Sequence, residues 1–566
     1  MKNNIIKKWN KFPLWAKLLL IESVPLIILI FAIVIEVGHL AHSDWLNTFL
    51  YNSDSLTLPL IRQSIAHKEP FLWIFSSQLF LFPEGVFYFI SSVLTTSIRS
   101  SLVFNVFLNV LVLYVLIRGI TKVTNLGNKI LQILFSLFCC LLLIFDMLLE
   151  KHALVNQSSI ATLFILTAYY YGVTLSGLAL LWISLVQLKQ KTKILVKSSL
   201  ITLLIGNLIG LFATFSDPLF LVEIIAPFIL VILLILLLNN IKLRQAIRLF
   251  ILAVPGSLIG YVLRIPFKDF VGQSLNSHVS ITEIPYTLTV LHGSLHTMLH
   301  SKSGLLELIS CFGVLLLVLI FFILLIHRNA KKPGTYPASL ILITAFALAV
   351  TSVCIIFTVV TGSKVTRYLL PIFIFPLVGL MPILDLQIIK KLQKQIVNIG
   401  IIIAIVVITV GIFSIPKAID LLSTSNFNTS TCLENALNNQ PANGIAQYWT
   451  SRALDVYGKS DERVLQVNNN FMLYPWLANL GAYENKQFTF IVIDNSANNT
   501  TWNISPSNLA HIGQPYRQVT CRNVQIYIYK PGSTGYKTLN ADIQKSYSQL
   551  LKIRKAGDMG NYFSDT

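Results

Sequence analysis

Charge is scarce in this chain: only 12% of its 566 residues are Asp, Glu, Lys or Arg, and just 24 are acids. Ordinary soluble domains carry about 25% charged residues, so a soluble globular protein is excluded. Cysteine is rare as well. Of the six, Cys139, Cys140, Cys311 and Cys354 lie inside apolar runs and read as small core residues. Only Cys432 and Cys521 fall in polar sequence, where an even pair fits a disulfide in an oxidising compartment and fits equally two lone thiols in the cytosol. There is no glycine-rich phosphate loop, no serine-nucleophile elbow and no paired Cys-x-x-Cys. A soluble nucleotide-binding domain therefore has no support.

What is abundant is apolar: 54% of residues are hydrophobic and the mean hydropathy is +0.70. This composition predicts a multi-pass membrane protein. The formal net charge of +19 comes mostly from short Lys and Arg clusters between apolar runs rather than from one basic stripe. That is the positive-inside pattern, and it argues against nucleic acid as a partner. The opening MKNNIIKKWNK resembles the charged start of a signal peptide, but the run behind it is too long and lacks a small-residue cleavage site. It reads as a retained signal anchor with its N-terminus in the cytoplasm of a cell membrane.

A spanning helix needs roughly 20 apolar residues, and about eleven runs qualify: 16–38, 101–118, 128–148, 160–187, 197–215, 219–239, 247–263, 304–326, 338–361, 368–386 and 398–415. With the N-terminus inside, every cytoplasmic connection is short and basic. Residues 71–94 would make a twelfth run, but counting it would put those basic clusters outside, and Pro83-Glu84-Gly85 interrupts it. It reads as two short helices lying along the membrane surface inside one long outside loop, 40–100, with a broken re-entrant pair as the alternative. Composition turns polar near Pro416. The fold class predicted is thus an α-helical polytopic membrane protein, with a transmembrane domain over 1–416 and a small extracytoplasmic α/β domain over 417–566.

Candidate site residues are the charges on the outer side. Asp54, between Ser53 and Ser55, suits a base that takes a proton from an acceptor hydroxyl, or else caps a following helix. Asp44 has the same two readings. Asp217, in Ser216-Asp217-Pro218, is a second outer acid or a helix start. Lys364 and Arg367, ahead of Tyr368 and Pro371, place two cations against the bias of the other outer loops, suited to a phosphate or to lipid headgroups. Glu84 and the Lys151-His152 pair are weaker candidates of the same kind. His292, His296 and His300 recur every four residues, but without acids or cysteines at ligand spacing they predict a wetted helix face rather than a metal site.

The acid after the first run, the Arg367-Tyr368-Leu369-Leu370-Pro371 start of a late run, and the polar C-terminal region together resemble the GT-C superfamily of integral-membrane glycosyltransferases, which includes protein O-mannosyltransferases and the aminoarabinose transferase of lipid A. The resemblance implies a polyprenyl-phosphate-linked sugar as donor, a glycan, lipid or protein acceptor, no organic cofactor, and a divalent metal in some members only. It maps the catalytic acid onto Asp54, or onto Asp44, and the phosphate-binding arginine onto Arg367 with Lys364 and Tyr368 beside it. Acceptor positioning falls to Asp217, Glu84 and His152. The family acid often follows the first span directly, whereas Asp54 stands well beyond residue 38, which leaves the choice between the two acids open. The rival readings are an O-antigen-type polymerase or ligase, and a lipid-linked substrate transporter or flippase.

Overall fold

The computed structural model describes residues 14–155, 157–190, 197–272, 281–331, 336–363, 365–423, 428–438, 442–458, 463–495, 504, 506–521 and 523–559. The chain opens with α1 (Leu14–Ala41), two short helices α2 (Trp45–Leu50) and α3 (Thr57–Ala66), strand β1 (Trp73–Ile74) and α4 (Val86–Leu94). A bundle follows: α5 (Ile98–Thr124), α6 (Lys129–Leu149), α7 (Tyr171–Lys189), α8 (Lys197–Ser216), α9 (Ala226–Leu237), α10 (Leu243–Arg264), α11 (Ile284–His300), α12 (Lys302–Lys331), α13 (Ala338–Val360), α14 (Pro371–Gly379), α15 (Gln387–Lys391) and α16 (Gln393–Ser423).

Among the described residues ten helices are long and apolar enough to cross a membrane, from Glu22–Ala41 to Gln393–Leu422. The run expected over 219–239 forms a shorter helix, Leu221–Leu237. The run expected over 160–187 is helical only from Tyr171, because residues Ala161–Ile165 make a separate 3-10 turn. The helix ends follow local chemistry: Ser97 accepts a hydrogen bond from the Ser100 amide to start α5, Asn125 closes it in the left-handed region (φ 57°), and Asn128 caps α6 through the Leu131 amide. The helices α8 and α10 touch so closely that a Cβ on Gly256 would lie 2.1 Å from the Asn207 carbonyl oxygen. Only glycine permits that approach, which also brings the Gly256 amide within 2.7 Å of Asn207 Oδ1.

Beyond α16 lies the α/β domain: α17 (Asn428–Ala436), β2 (Asn443–Gln447), α18 (Tyr448–Tyr457), β3 (Arg463–Val467), β4 (Ala478–Asn479), β5 (Phe488–Asp494), α19 (Pro506–Ile512), β6 (Arg517–Cys521), β7 (Val524–Ile528) and α20 (Thr534–Ala556). Its sheet runs β3-β2-β5-β7-β6, with β3, β2 and β5 parallel and the β5-β7 and β7-β6 pairs antiparallel. Alternate residues of the strands face opposite layers. Ile445, Leu465, Ile491 and Ile493 pack with Leu539, Ile543 and Leu550 of α20, while Ala446, Val464, Phe490 and Val492 pack with Leu433 and Leu454. A disulfide joins Cys432 of α17 to Cys521 of β6.

The structure corrects the expectation of two surface helices over 71–94. The first half carries β1, paired antiparallel with β4 so that Trp73 faces Asn479 and Ile74 faces Ala478. Its extended backbone needs hydrogen-bond partners, and β4 of the α/β domain and the segment after α10 supply them. The Phe75 amide donates to the Phe270 carbonyl at 2.6 Å, and the Gly272 amide donates to Phe75 at 2.7 Å. The second half is the helix α4 (Val86–Leu94), entered through a turn over Leu81–Gly85 in which Phe82 is extended (φ −138°, ψ 129°). It is anchored at its start, where Ser216 Oγ accepts the Leu81 and Phe82 amides.

Candidate functional site

Asp54 lies in the turn between α2 and α3, and the hydroxyls beside it fix that turn. Ser55 Oγ donates to the Thr48 carbonyl at 2.8 Å, and Thr167 Oγ1 donates to the Ser55 carbonyl at 2.7 Å. Buried Ser53 Oγ donates to the Tyr448 carbonyl at 2.9 Å, tying the turn to the C-terminal domain. The Asp54 amide donates to Asn52 Oδ1, which also accepts from the Tyr169 hydroxyl. Helix α3 starts without any side-chain cap. The Asp54 carboxylate is therefore not spent on a helix end.

Its two oxygens meet different partners. Oδ1 accepts the Tyr448 phenol at 2.9 Å. Oδ2 lies 3.7 Å from Arg367 Nη1, and the two side chains are only 19% and 21% exposed. Arg367 opens the short turn before α14, with its guanidinium 5.3 Å from the centre of the Tyr170 ring and its Nε buried without a partner. The Tyr368 ring stands edge-on to Tyr170 at 5.1 Å. Lys364 lies outside the described residues. On the domain side, the Arg452 guanidinium sits 5.5 Å from the Tyr448 ring, and the Tyr474 and Trp449 rings stand edge-on at 5.5 and 4.9 Å. Burial first, and then the adjacent Asp54 charge, hold the Tyr448 phenol well above its ordinary range, so it stays a proton donor.

The other candidates go elsewhere. Asp44 Oδ2 pairs with His152 Nδ1 at 2.8 Å, both side chains being mostly exposed at 67% and 75%. Glu84 is buried. Its Oε1 accepts from Gln78 Nε2 and from the Gly172 amide, both at 3.1 Å, and a Cβ at position 172 would lie 2.4 Å from that oxygen. Asp217 is buried too, with Oδ1 on the Leu219 amide and Oδ2 without a partner. His296 and His300 stack on α11 with ring centres 4.0 Å apart. Among the described residues no three His, Cys, Asp or Glu side chains converge as a metal-ligand group.

A dense polar seam locks the first loop to the domain. Arg463 grips Asp455 with two hydrogen bonds, 2.8 and 2.9 Å, and also pairs with Glu69 of the loop, all three side chains being nearly fully buried. Asn479 Nδ2 reaches Glu69, Gln63 Nε2 reaches the Asp455 carbonyl, and Arg452 Nη2 reaches Thr57. The site residues that sequence reasoning passed over are Tyr169, Tyr170 and Arg452, while Tyr448-Trp449 reads from sequence as an aromatic platform or as core. The run Tyr169-Tyr170-Tyr171 at the edge of an apolar stretch was a usable signal for the first two. Nothing local marks Tyr448 as a partner of Asp54, 394 positions away.

What this arrangement offers chemically is a carboxylate able to accept a proton, with a guanidinium beside it able to bind an oxyanion. Among proteins of known sequence, no family model matches the chain and a search of curated proteins gave no match. Among solved structures, a match is the crystal structure of the Archaeoglobus fulgidus oligosaccharyltransferase in complex with zinc and sulfate. It has 12% sequence identity, covers 91% of this chain and 76% of that one, and has a TM-score of 0.43.

Proposed function

We propose that the chain is an inverting membrane glycosyltransferase that moves a sugar from a polyprenyl-phosphate donor to an acceptor at the extracytoplasmic membrane face. The observation that carries this reading is the placement of Asp54 Oδ2 3.7 Å from Arg367 Nη1 at one end of an apolar helix bundle. In the reaction Asp54 takes the proton of the acceptor hydroxyl, and the freed oxygen pair forms the new bond at the anomeric carbon. The bond from that carbon to the phosphate oxygen breaks, and the phosphate keeps its electrons as charge builds against Arg367. Tyr368 belongs to the phosphate side in this proposal. Glu84, bonded to Gly172, acts from behind by holding the segment that carries Tyr169 and Tyr170.

In this proposal residues 1–416 form the transmembrane transferase domain and residues 417–566 lie outside, near the acceptor. The Cys432–Cys521 disulfide supports an oxidising compartment for that side. The basic connections at the other end, such as Lys390 and Lys391 of α15, support a cytoplasmic face there.

The test is transfer from a panel of radiolabelled polyprenyl-phosphate sugars by the purified protein in lipid nanodiscs. Product from at least one donor, with free lipid phosphate released in equal amount, supports the reading. Bound lipid with no product from any donor contradicts it and favours transport.

A further inference from the structure

Resting on the reading of Asp54 as base, we infer that Tyr448 of the C-terminal domain is a positioning residue: its phenol, bonded to Asp54 Oδ1, turns the carboxylate so that Oδ2 is the oxygen that takes the proton. The two carboxylate oxygens are not equivalent here. Oδ1 is occupied by a donor at 2.9 Å. Oδ2 faces Arg367 across 3.7 Å, a gap wider than a hydrogen bond, and Arg367 is drawn towards the face of Tyr170. A leaving phosphate bound by Arg367 puts the anomeric carbon next to Oδ2. The acceptor hydroxyl must therefore arrive on that oxygen, and Oδ1 is free to serve as the held end.

The hold on Tyr448 is itself braced. Its carbonyl accepts from buried Ser53 of the Asp54 turn. Its ring is flanked by Arg452, whose Nη2 donates to Thr57 and whose Nη1 donates to Leu477. The Arg463–Asp455–Glu69 seam anchors the far end of α18 to the same loop. The C-terminal domain is in this way built into the base, one phenol away from the chemistry. The charged and titratable groups around the carboxylate are Tyr448 and Arg452 from the domain, Arg367 from the turn before α14, and Tyr169 from the segment before α7.

The test reads the carboxylate directly. Asp54 in the intact protein is coupled to an amine with a water-soluble carbodiimide at pH 6, and labelling is followed by peptide mass spectrometry. Tyr448→Phe removes the donor that occupies Oδ1, so labelling becomes faster. Replacing Tyr448 with 3,5-difluorotyrosine strengthens the donor, so labelling becomes slower. Shifts of opposite sign in two nearly isosteric variants cannot come from loosened packing. In the transfer assay Tyr448→Phe lowers kcat roughly tenfold with KM for the donor lipid unchanged. Equal labelling rates in all three proteins overturn the inference, as does a change in melting temperature alone. A wild type that transfers no sugar, with the labelling shifts intact, removes the glycosyltransferase reading and leaves the Tyr448 hold standing.

Discussion

Asp44 and Asp54 stand ten residues apart in one loop, each preceded by a serine and each within reach of aromatics, yet the fold treats them in opposite ways. Asp44 ends on the surface with an exposed histidine. Asp54 is drawn into a cleft walled by two other parts of the chain, where a phenol holds one oxygen and a guanidinium faces the other. The same carboxyl chemistry is worth little in the first setting, because water screens an exposed pair. In the second, low exposure strengthens every charge interaction and leaves the carboxylate few competing donors. What separates the two acids is not their flanking sequence but which of them the C-terminal domain covers.

The strongest way to break the contrast from the cation's side is Arg367→Gln. With the guanidinium gone, leaving-group charge has no partner, and kcat should fall by about 10²–10³ with the donor lipid still bound. Initial-rate kinetics beside a lipid-binding measurement check this. The contrast also depends on the domain staying in place. Arg463→Met leaves Asp455 and Glu69 as buried, unpaired acids, and should cost about 3–5 kcal/mol, read as a lowered melting temperature with loss of the β1–β4 pairing by hydrogen exchange. Reduction of the Cys432–Cys521 bond closes a smaller gap. It should destabilise the domain by about 2–4 kcal/mol, seen as a lowered melting temperature in reductant while α1 to α16 keep their helicity. The smallest effect belongs to the exposed pair: His152→Ala should change transfer by less than about twofold and stability by less than about 1 kcal/mol.

Much of this layout was legible in the chain itself. Apolar runs mark the helices because a membrane requires about 20 such residues in a row. Arg367 drew notice as a cation out of step with the basic connections, and Cys432 and Cys521 as the two cysteines outside apolar sequence. The misreadings have a common cause. Residues 71–94 are mostly apolar, and apolarity alone does not tell a surface helix from a strand that finds its partner in a distant domain. Trp73 meets Asn479 only after the whole bundle has been threaded between them. Glu84, too, looked like an interfacial acid, yet it is buried against Gly172, a residue whose lack of a side chain makes room for the carboxylate. Tyr448, in an aromatic pair that sequence reads as a platform or as core, could not be matched to Asp54, because its hydroxyl has a partner only once the fold brings that distant acid to it.

The measurement that bears most directly on the central claim sets Asp54→Asn beside Asp44→Asn in one transfer assay, with both proteins purified, folded and loaded with the same lipid-linked sugar. The account predicts a loss of about 10²–10⁴ in kcat for Asp54→Asn and near wild-type turnover for Asp44→Asn. Equal rates for the two variants, or a loss confined to Asp44→Asn, would contradict it.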